Sequence, residues 1–239
     1  MTYGRLMKFA TLLTLCFSLI GLIGPARADG PVVVELFTSQ GCSACPPADE
    51  LLAQLATRDD VIALALHVDY WDYIGWVDTF AENAFTLRQH GYAAAANSRV
   101  VYTPQMVIGG IDLVVGNQTM QVMDLIMAHK AVVEPLTIDV RRTASGFTVE
   151  ATADMPPPRP AMVVQIVSVQ PSATVSIGRG ENAGRAVDYI NTVRSWQVVA
   201  EWDGSGVFRS QIEPQDDLPL AIIIQQTGHG AIMGAAWLR

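Results

Sequence analysis

FTSQGCSACPPADELLAQLA, residues Phe37 to Ala56, links the end of an apolar segment to a segment with helical spacing through a Cys-x-x-Cys pair. The helical part starts cleanly: Pro46 falls near the first helical position and Asp49 and Glu50 in the first turn. Leu51, Leu52 and Leu55 then recur at helical spacing. Upstream, PVVVELF (31–37) is a continuous apolar run of the kind expected from a strand buried on both faces. Cys42 and Cys45 therefore stand between a buried strand and a helix start. Unsatisfied N–H groups at that position carry partial positive charge and stabilise a thiolate. On this reading Cys42 attacks, and Cys45, one turn in, resolves the mixed disulfide.

Two other uses of the pair have to be weighed. A structural bridge across two intervening residues closes a very small loop and constrains little unfolded-chain entropy. A metal site would need a third ligand, and His67, at the end of the next strand-like run, is the available one. No second Cys pair or His pair with ligand spacing accompanies Cys42, Cys45 and His67. Redox chemistry is the favoured use, and it requires no cofactor.

Compartment bears on this choice. Arg5 and Lys8 precede FATLLTLCFSLIGLIG, and Pro25-Ala26-Arg27-Ala28 follows, which together read as a signal peptide with an A-x-A cleavage site near Ala28. Cleavage there removes Cys16 and three bases, Arg5, Lys8 and Arg27, so the net charge of −8 falls by three to −11. A chain so acidic is not expected to bind nucleic acid or anionic lipid by charge. No other long apolar run remains, so no stable membrane insertion is expected after cleavage. The periplasm or the exterior is the expected location, where two cysteines tend to pair.

Farther along, VIALALHV (61–68) reads as a second buried strand and residues 79–96 as a helix, with Gly91 interrupting it. QMVIGG and DLVVG form a hairpin around Gly109-Gly110, and Asn117 to Lys130 is a helix with Met120, Met123, Ile126 and Met127 on one face. The order β-α-β-α-β-β-α points to an α/β layer fold. After Pro135 the pattern becomes all strand, with about eight short segments divided by Gly, Pro, Asn and Asp. The expected organisation is a signal peptide (1–28), an α/β domain (29–134) and an antiparallel β-sandwich domain (135–239).

At this point the chain resembles the thioredoxin superfamily. The residues that carry the likeness are Cys42-Ser43-Ala44-Cys45 at the helix start, Thr103-Pro104 before the third strand, and Glu35 on the first. The resemblance implies a thioredoxin-like N-terminal domain, a cis Pro104 facing the cysteines, and Glu35 as a buried acid beneath them. VELFTSQGCSACPPAD, HVDYWDYIGW, YTPQMVIGG and RGENAGRAVDYINTVRSW also resemble an exported bacterial thioredoxin-like group classed as a domain of unknown function. Two departures stand out. The motif interior is Ser-Ala rather than Gly-Pro, and no cation adjoins it, whereas Asp49 and Glu50 oppose a thiolate.

Strand ends bring further residues toward the pair. Tyr70, Trp71, Tyr73 and Trp76 follow the second strand and would form an aromatic wall for a peptide, or simply pack the segment onto the sheet. Glu35 is either a proton relay for Cys45 or the ion-pair partner of Arg99 or another base. RGENAGRAVDYINTVR (179–194) reads as an ordered polar loop tying two sheets, with docking against the first domain as its functional version. The expected function is an exported thiol-disulfide oxidoreductase acting on protein or peptide thiols and disulfides with an unknown redox partner. The alternative is a non-catalytic thioredoxin-fold binding or metal-handling protein that uses the same edge.

Overall fold

The computed structural model describes Met1, residues 30–132 and residues 135–238. The signal-peptide reading falls on residues outside this set. Strand β1 (Val32–Thr38) leads through the cysteine motif into α1 (Pro46–Leu55) and β2 (Val61–His67). A single 3₁₀ turn (Asp72–Ile74) precedes α2 (Asn83–Ala95), the hairpin β3 (Gln105–Ile108) and β4 (Asp112–Val115), and α3 (Thr119–Lys130). These elements follow in the order read from the sequence. Every residue of β1 and β2 is buried, which accounts for their unbroken apolar runs.

The expected division into a thioredoxin-like α/β domain and a separate antiparallel β-sandwich is overturned by the sheet itself. Strands β7 (Met162–Ser176), β8 (Ala186–Trp202), β10 (Leu220–Gln226) and β11 (Ile232–Leu238) join the first four in one eight-stranded mixed sheet. Its order is β11-β10-β7-β8-β2-β1-β3-β4. Only β5 (Leu136–Arg142), β6 (Phe147–Ala153) and β9 (Val207–Ile212) form a second sheet. The physical reason lies at β2. A strand buried on both faces cannot leave one row of backbone groups unpaired. β8 meets that row in parallel at one pair, Thr192 opposite Ala65, and Asn191 Nδ2 donates to the Ala63 carbonyl at 3.0 Å.

The polar segment 179–194 is mostly strand for the same reason. AMVVQIVSV and ATVSIG, expected as two strands, are the single strand β7, paired along its length with β8 as a long hairpin. The hairpin tip, residues 177–185, projects beyond the sheet.

Three apolar clusters hold the layers. Alternating residues of β1 and β2 send Val34, Leu36, Ala63 and Ala65 toward Leu51, Leu52 and Leu55 of α1 and Ile126 of α3. Val33, Phe37, Leu64 and Leu66 face the other way, with Phe85 and Tyr92 of α2, and this layer continues across β7, β8 and β10 through Val167, Val193 and Ile223. The distal half of the first face is covered by the small sheet, where Phe147 and Val149 meet Val164, Ile222 and Leu238. Each buried Val, Leu or Ile contributes roughly 1.5–3 kcal/mol, and the second cluster spans the expected domain boundary.

Gly91 does not break α2. A Cβ there would stand 2.3 Å from the His229 ring, so a glycine lets the β10–β11 turn close onto the helix.

Candidate functional site

Cys42 and Cys45 form a disulfide with their Cα atoms 5.4 Å apart. Cys45 is the residue capping the start of α1, and its carbonyl accepts from the Ala48 and Asp49 N–H groups at 2.8 and 3.1 Å. Ser43 and Ala44 are exposed, yet Cys42 is only 1 % exposed and Cys45 0 %. Neither cysteine is open to solvent in this state. Two segments cover them. The 3₁₀ turn lies so close to Gly41 that an added Cβ would be 3.0 Å from Ile74 Cδ1 and 3.3 Å from Trp71 Cβ. From the far end of the chain, buried Asn182 in the β7–β8 tip donates from Nδ2 to the carbonyls of Gln40 and Cys42, each at 2.9 Å. Arg185 Nη1 steadies Asn182 through its Oδ1 at 3.2 Å.

The Thr103–Pro104 peptide is cis, as the resemblance implied. Pro104 is buried at the same edge, with its Cβ, Ala48 Cβ and Leu36 Cδ1 all converging on Gly116. Thr103 Oγ1 accepts from Trp71 Nε1 at 2.7 Å. Of the four aromatics, Trp71 and Tyr70 pack against the core, with the Tyr70 hydroxyl donating to Gln89 at 3.1 Å. Trp76 Nε1 donates to Gln40 Oε1 at 2.8 Å. Tyr73 alone projects, 82 % exposed, stacked on Trp71 at 6.5 Å between centroids.

Glu35 is not beneath the cysteines. Strand alternation puts it with Val33 and Phe37 on the α2 face, opposite α1. There Arg88 donates to both of its oxygens, from Nε at 2.6 Å and Nη2 at 2.9 Å, and the Tyr92 hydroxyl donates at 2.5 Å. Gln225 completes the network through Arg88 and Tyr92, and Trp196 lies over the guanidinium at 3.7 Å. The partner is thus Arg88, not Arg99. With its lone pairs engaged by a permanent cation, Glu35 is a structural charge.

The acid on the cysteine side is Asp49, which sequence reading had treated only as an opposing charge. It follows Cys45 by one helical turn and is buried, with Thr38 Oγ1 donating to its Oδ1 at 2.8 Å. Burial pushes its carboxyl up to about 7, against the opposing pull of His67 and Thr38. Its position on the apolar stripe of α1, with Cys45 before it and Leu52 after it, was a signal in the sequence. His67 is fully buried, and its Nδ1 pairs with Asp78 Oδ2 at 2.8 Å. Burial raises the Asp78 carboxyl, but the bond and charge of His67 and the N–H groups of Gln40 and Phe80 outweigh it and hold it below the ordinary range. Cys42, Cys45 and His67 do not make a ligand set: the sulfurs bond each other, and no group of three His, Cys, Asp or Glu side chains among the described residues could hold a metal ion. Asn182 lies in the polar segment 179–194, whose functional reading was docking against the first domain, whereas Asp78 carried no recognisable signal in the sequence.

A Cys-x-x-Cys disulfide at a helix start, in a mixed sheet that closes over it with a distant hairpin, defines the class of site. The chain belongs to the DUF1223 family, described as proteins of unknown function, whose model matches residues 33–225. It is similar to protein AGR_C_4864 from Agrobacterium tumefaciens, a crystal structure with 30 % identity and a TM-score of 0.75, over 89 % of this chain and 96 % of that one. HBP35 of Porphyromonas gingivalis shares the fold at 12 % identity and a TM-score of 0.61, over 87 % of this chain and 74 % of that one. Among curated proteins none matches. No helix among the described residues is long and apolar enough to cross a membrane.

Proposed function

We propose that this chain is an exported thiol-disulfide exchange protein in which Cys42 and Cys45 cycle between disulfide and dithiol. The observation that carries this reading is the position of the bridge. It spans two residues at the amino end of α1, where it adds little as a staple and where N–H groups and the helix dipole favour a thiolate. The likeness of this motif and of cis Thr103–Pro104 to the thioredoxin superfamily supports the same reading. A partner thiolate attacks Cys42, Cys45 leaves, and the mixed disulfide resolves when Cys45 attacks back. The partners are protein or peptide thiols and disulfides, and residues 1–28 direct the chain to the periplasm or beyond.

Exchange in this arrangement calls for the β7–β8 tip to lift, because Cys42 is buried while Asn182 holds the Gln40 and Cys42 carbonyls. The test is trapping. A Cys45→Ser variant expressed with its leader accumulates mixed disulfides with cellular proteins through Cys42, and a Cys42→Ser, Cys45→Ser double variant does not. Absence of adducts, with the wild-type bridge resistant to dithiothreitol in the folded state, defeats the proposal. That result would leave the second reading, a non-catalytic binding protein, which the burial of both sulfurs favours.

A further inference from the structure

Buried polar atoms almost always find hydrogen-bond partners, and leaving one without costs about 1–3 kcal/mol. Among the described residues four buried side-chain atoms lack a partner: Asp49 Oδ2, His67 Nε2, Thr192 Oγ1 and Arg159 Nε. Three of these four belong to one place. Asp49 reaches from α1 to Thr38 on the first face of the sheet. His67 follows Ala63 and Ala65 at the strand period and so shares that face, and Thr192 stands opposite Ala65 on β8. The junction of α1, β2 and β8 therefore concentrates unpaired polar atoms directly behind the disulfide. Cores built only for stability satisfy or exclude such atoms, as the Glu35 network on the other face does.

We propose that Asp49 donates and accepts the proton of Cys45 during disulfide exchange, beside His67, which Asp78 orients. This rests on the exchange reading above. Cys45 and Asp49 are four residues apart and so are neighbours on one helix face, with about 5–6 Å between Cβ atoms. Thr38 occupies Oδ1 and leaves Oδ2 for the proton. Asp78 engages His67 Nδ1 and leaves Nε2 unpartnered. The raised carboxyl of Asp49 suits an acid that must give up and recover a proton near neutrality.

The steps balance. A partner thiolate bonds to Cys42 Sγ, the S–S bond breaks, and its electron pair leaves on Cys45 Sγ. Asp49 Oδ2–H protonates that sulfur and becomes a carboxylate. A second partner thiolate then displaces Cys42 as a thiolate, so the protein gains two electrons and the two partner thiols leave as a disulfide. In the return direction the Asp49 carboxylate removes the Cys45 proton, and the thiolate formed attacks Cys42 Sγ and expels the partner thiolate.

The groups facing Asp49 are Thr38 from β1, His67 from β2, Asp78 from the segment after the 3₁₀ turn, Tyr189 from β8 and Glu50 on its own helix. Any of these shifts the inflection, but only Asp49 carries the exchanging proton.

The experiment is the rate of reduction of the full-chain disulfide by dithiothreitol from pH 5 to 9, corrected for the thiolate fraction of the reagent. The wild type shows an inflection near 7. Asp49→Asn removes the inflection and slows reduction about a hundredfold at pH 6, the low end of what a positioned acid contributes. His67→Gln moves the inflection and retains part of the rate. In the oxidised protein, carbon-13 labelling of aspartate gives a carboxyl signal, missing from Asp49→Asn, that titrates near 7 and shifts on reduction. Mere structural support would not move that titration with the redox state. If Asp49→Asn keeps the wild-type profile while Cys45→Ser still traps partners, the relay is wrong and the exchange reading survives. If Cys45→Ser traps nothing and the wild-type bridge resists reduction, both fail together.

Discussion

The sheet carries two buried clusters of charge, one on each face, and they are finished to different degrees. On the α2 face, Glu35, Arg88, Tyr92 and Gln225 form a closed network in which both Glu35 oxygens are engaged. On the α1 face, Asp49 and His67 each use one polar atom and leave the other unpartnered. A complete network fixes one arrangement and has no reason to exchange protons. An incomplete one, next to a disulfide, retains the capacity to do so. The same sheet thus separates a structural ion pair from a titrating acid by nothing more than the alternation of strand residues.

The largest effect should come from opening the closed network. Glu35→Ala strands Arg88 in the core and is expected to cost toward the upper end of the roughly 3–5 kcal/mol seen when a buried pair loses one member. Urea unfolding checks this, and a loss under 1 kcal/mol would mean that the two clusters are not as different as their bonding suggests.

The next effect is pH-dependent. The Asp49 carboxyl is raised in the folded state from its ordinary 3.8 to about 7, so its contribution to stability is fully present below 3.8 and is lost as pH rises through 7. Its full size is on the order of 4 kcal/mol at 1.36 kcal/mol per unit. Asp49→Asn should therefore flatten the fall in unfolding free energy between pH 4 and 7, leaving the acid limb governed by lowered carboxylates such as Asp78 and Asp69. An unchanged slope would show that Asp49 ionises freely.

Asn182→Ala gives the smallest change in stability and tests the cover rather than the clusters. Two hydrogen bonds to carbonyls are lost, each worth about 1 kcal/mol net, and the disulfide should reduce about tenfold faster while the melting temperature falls by about 4–8 °C. A rate equal to the wild type would mean that the tip does not limit access.

Local elements were legible because local chemistry decides them. Pro46 with its following leucines fixed α1, and Gly109-Gly110 fixed the β3–β4 turn. The union of the two halves was not legible, since it depends on β8, whose Asp188, Asn191, Thr192 and Arg194 look like loop chemistry until paired with β2 and β7. The site divides in the same way. Cys42, Cys45 and cis Pro104 stood out by residue type and spacing. Glu35 was open to two readings, a relay for Cys45 or the ion-pair partner of Arg99 or another base; the Arg88 pair is the second, and strand alternation relative to Leu36 could have decided between them. Asn182 acts across 140 residues of sequence from Cys42, a distance no local pattern encodes.

The long β7–β8 hairpin has a consequence for anyone dividing this chain. A piece ending at residue 132 would keep the motif and its helix but lose the neighbour that shields the flank of β2, a seven-residue ribbon apolar up to His67 and ready to stick to other copies. The cysteines cannot be transplanted as a module, because the half that lacks them supplies both their roof and the wall beside them.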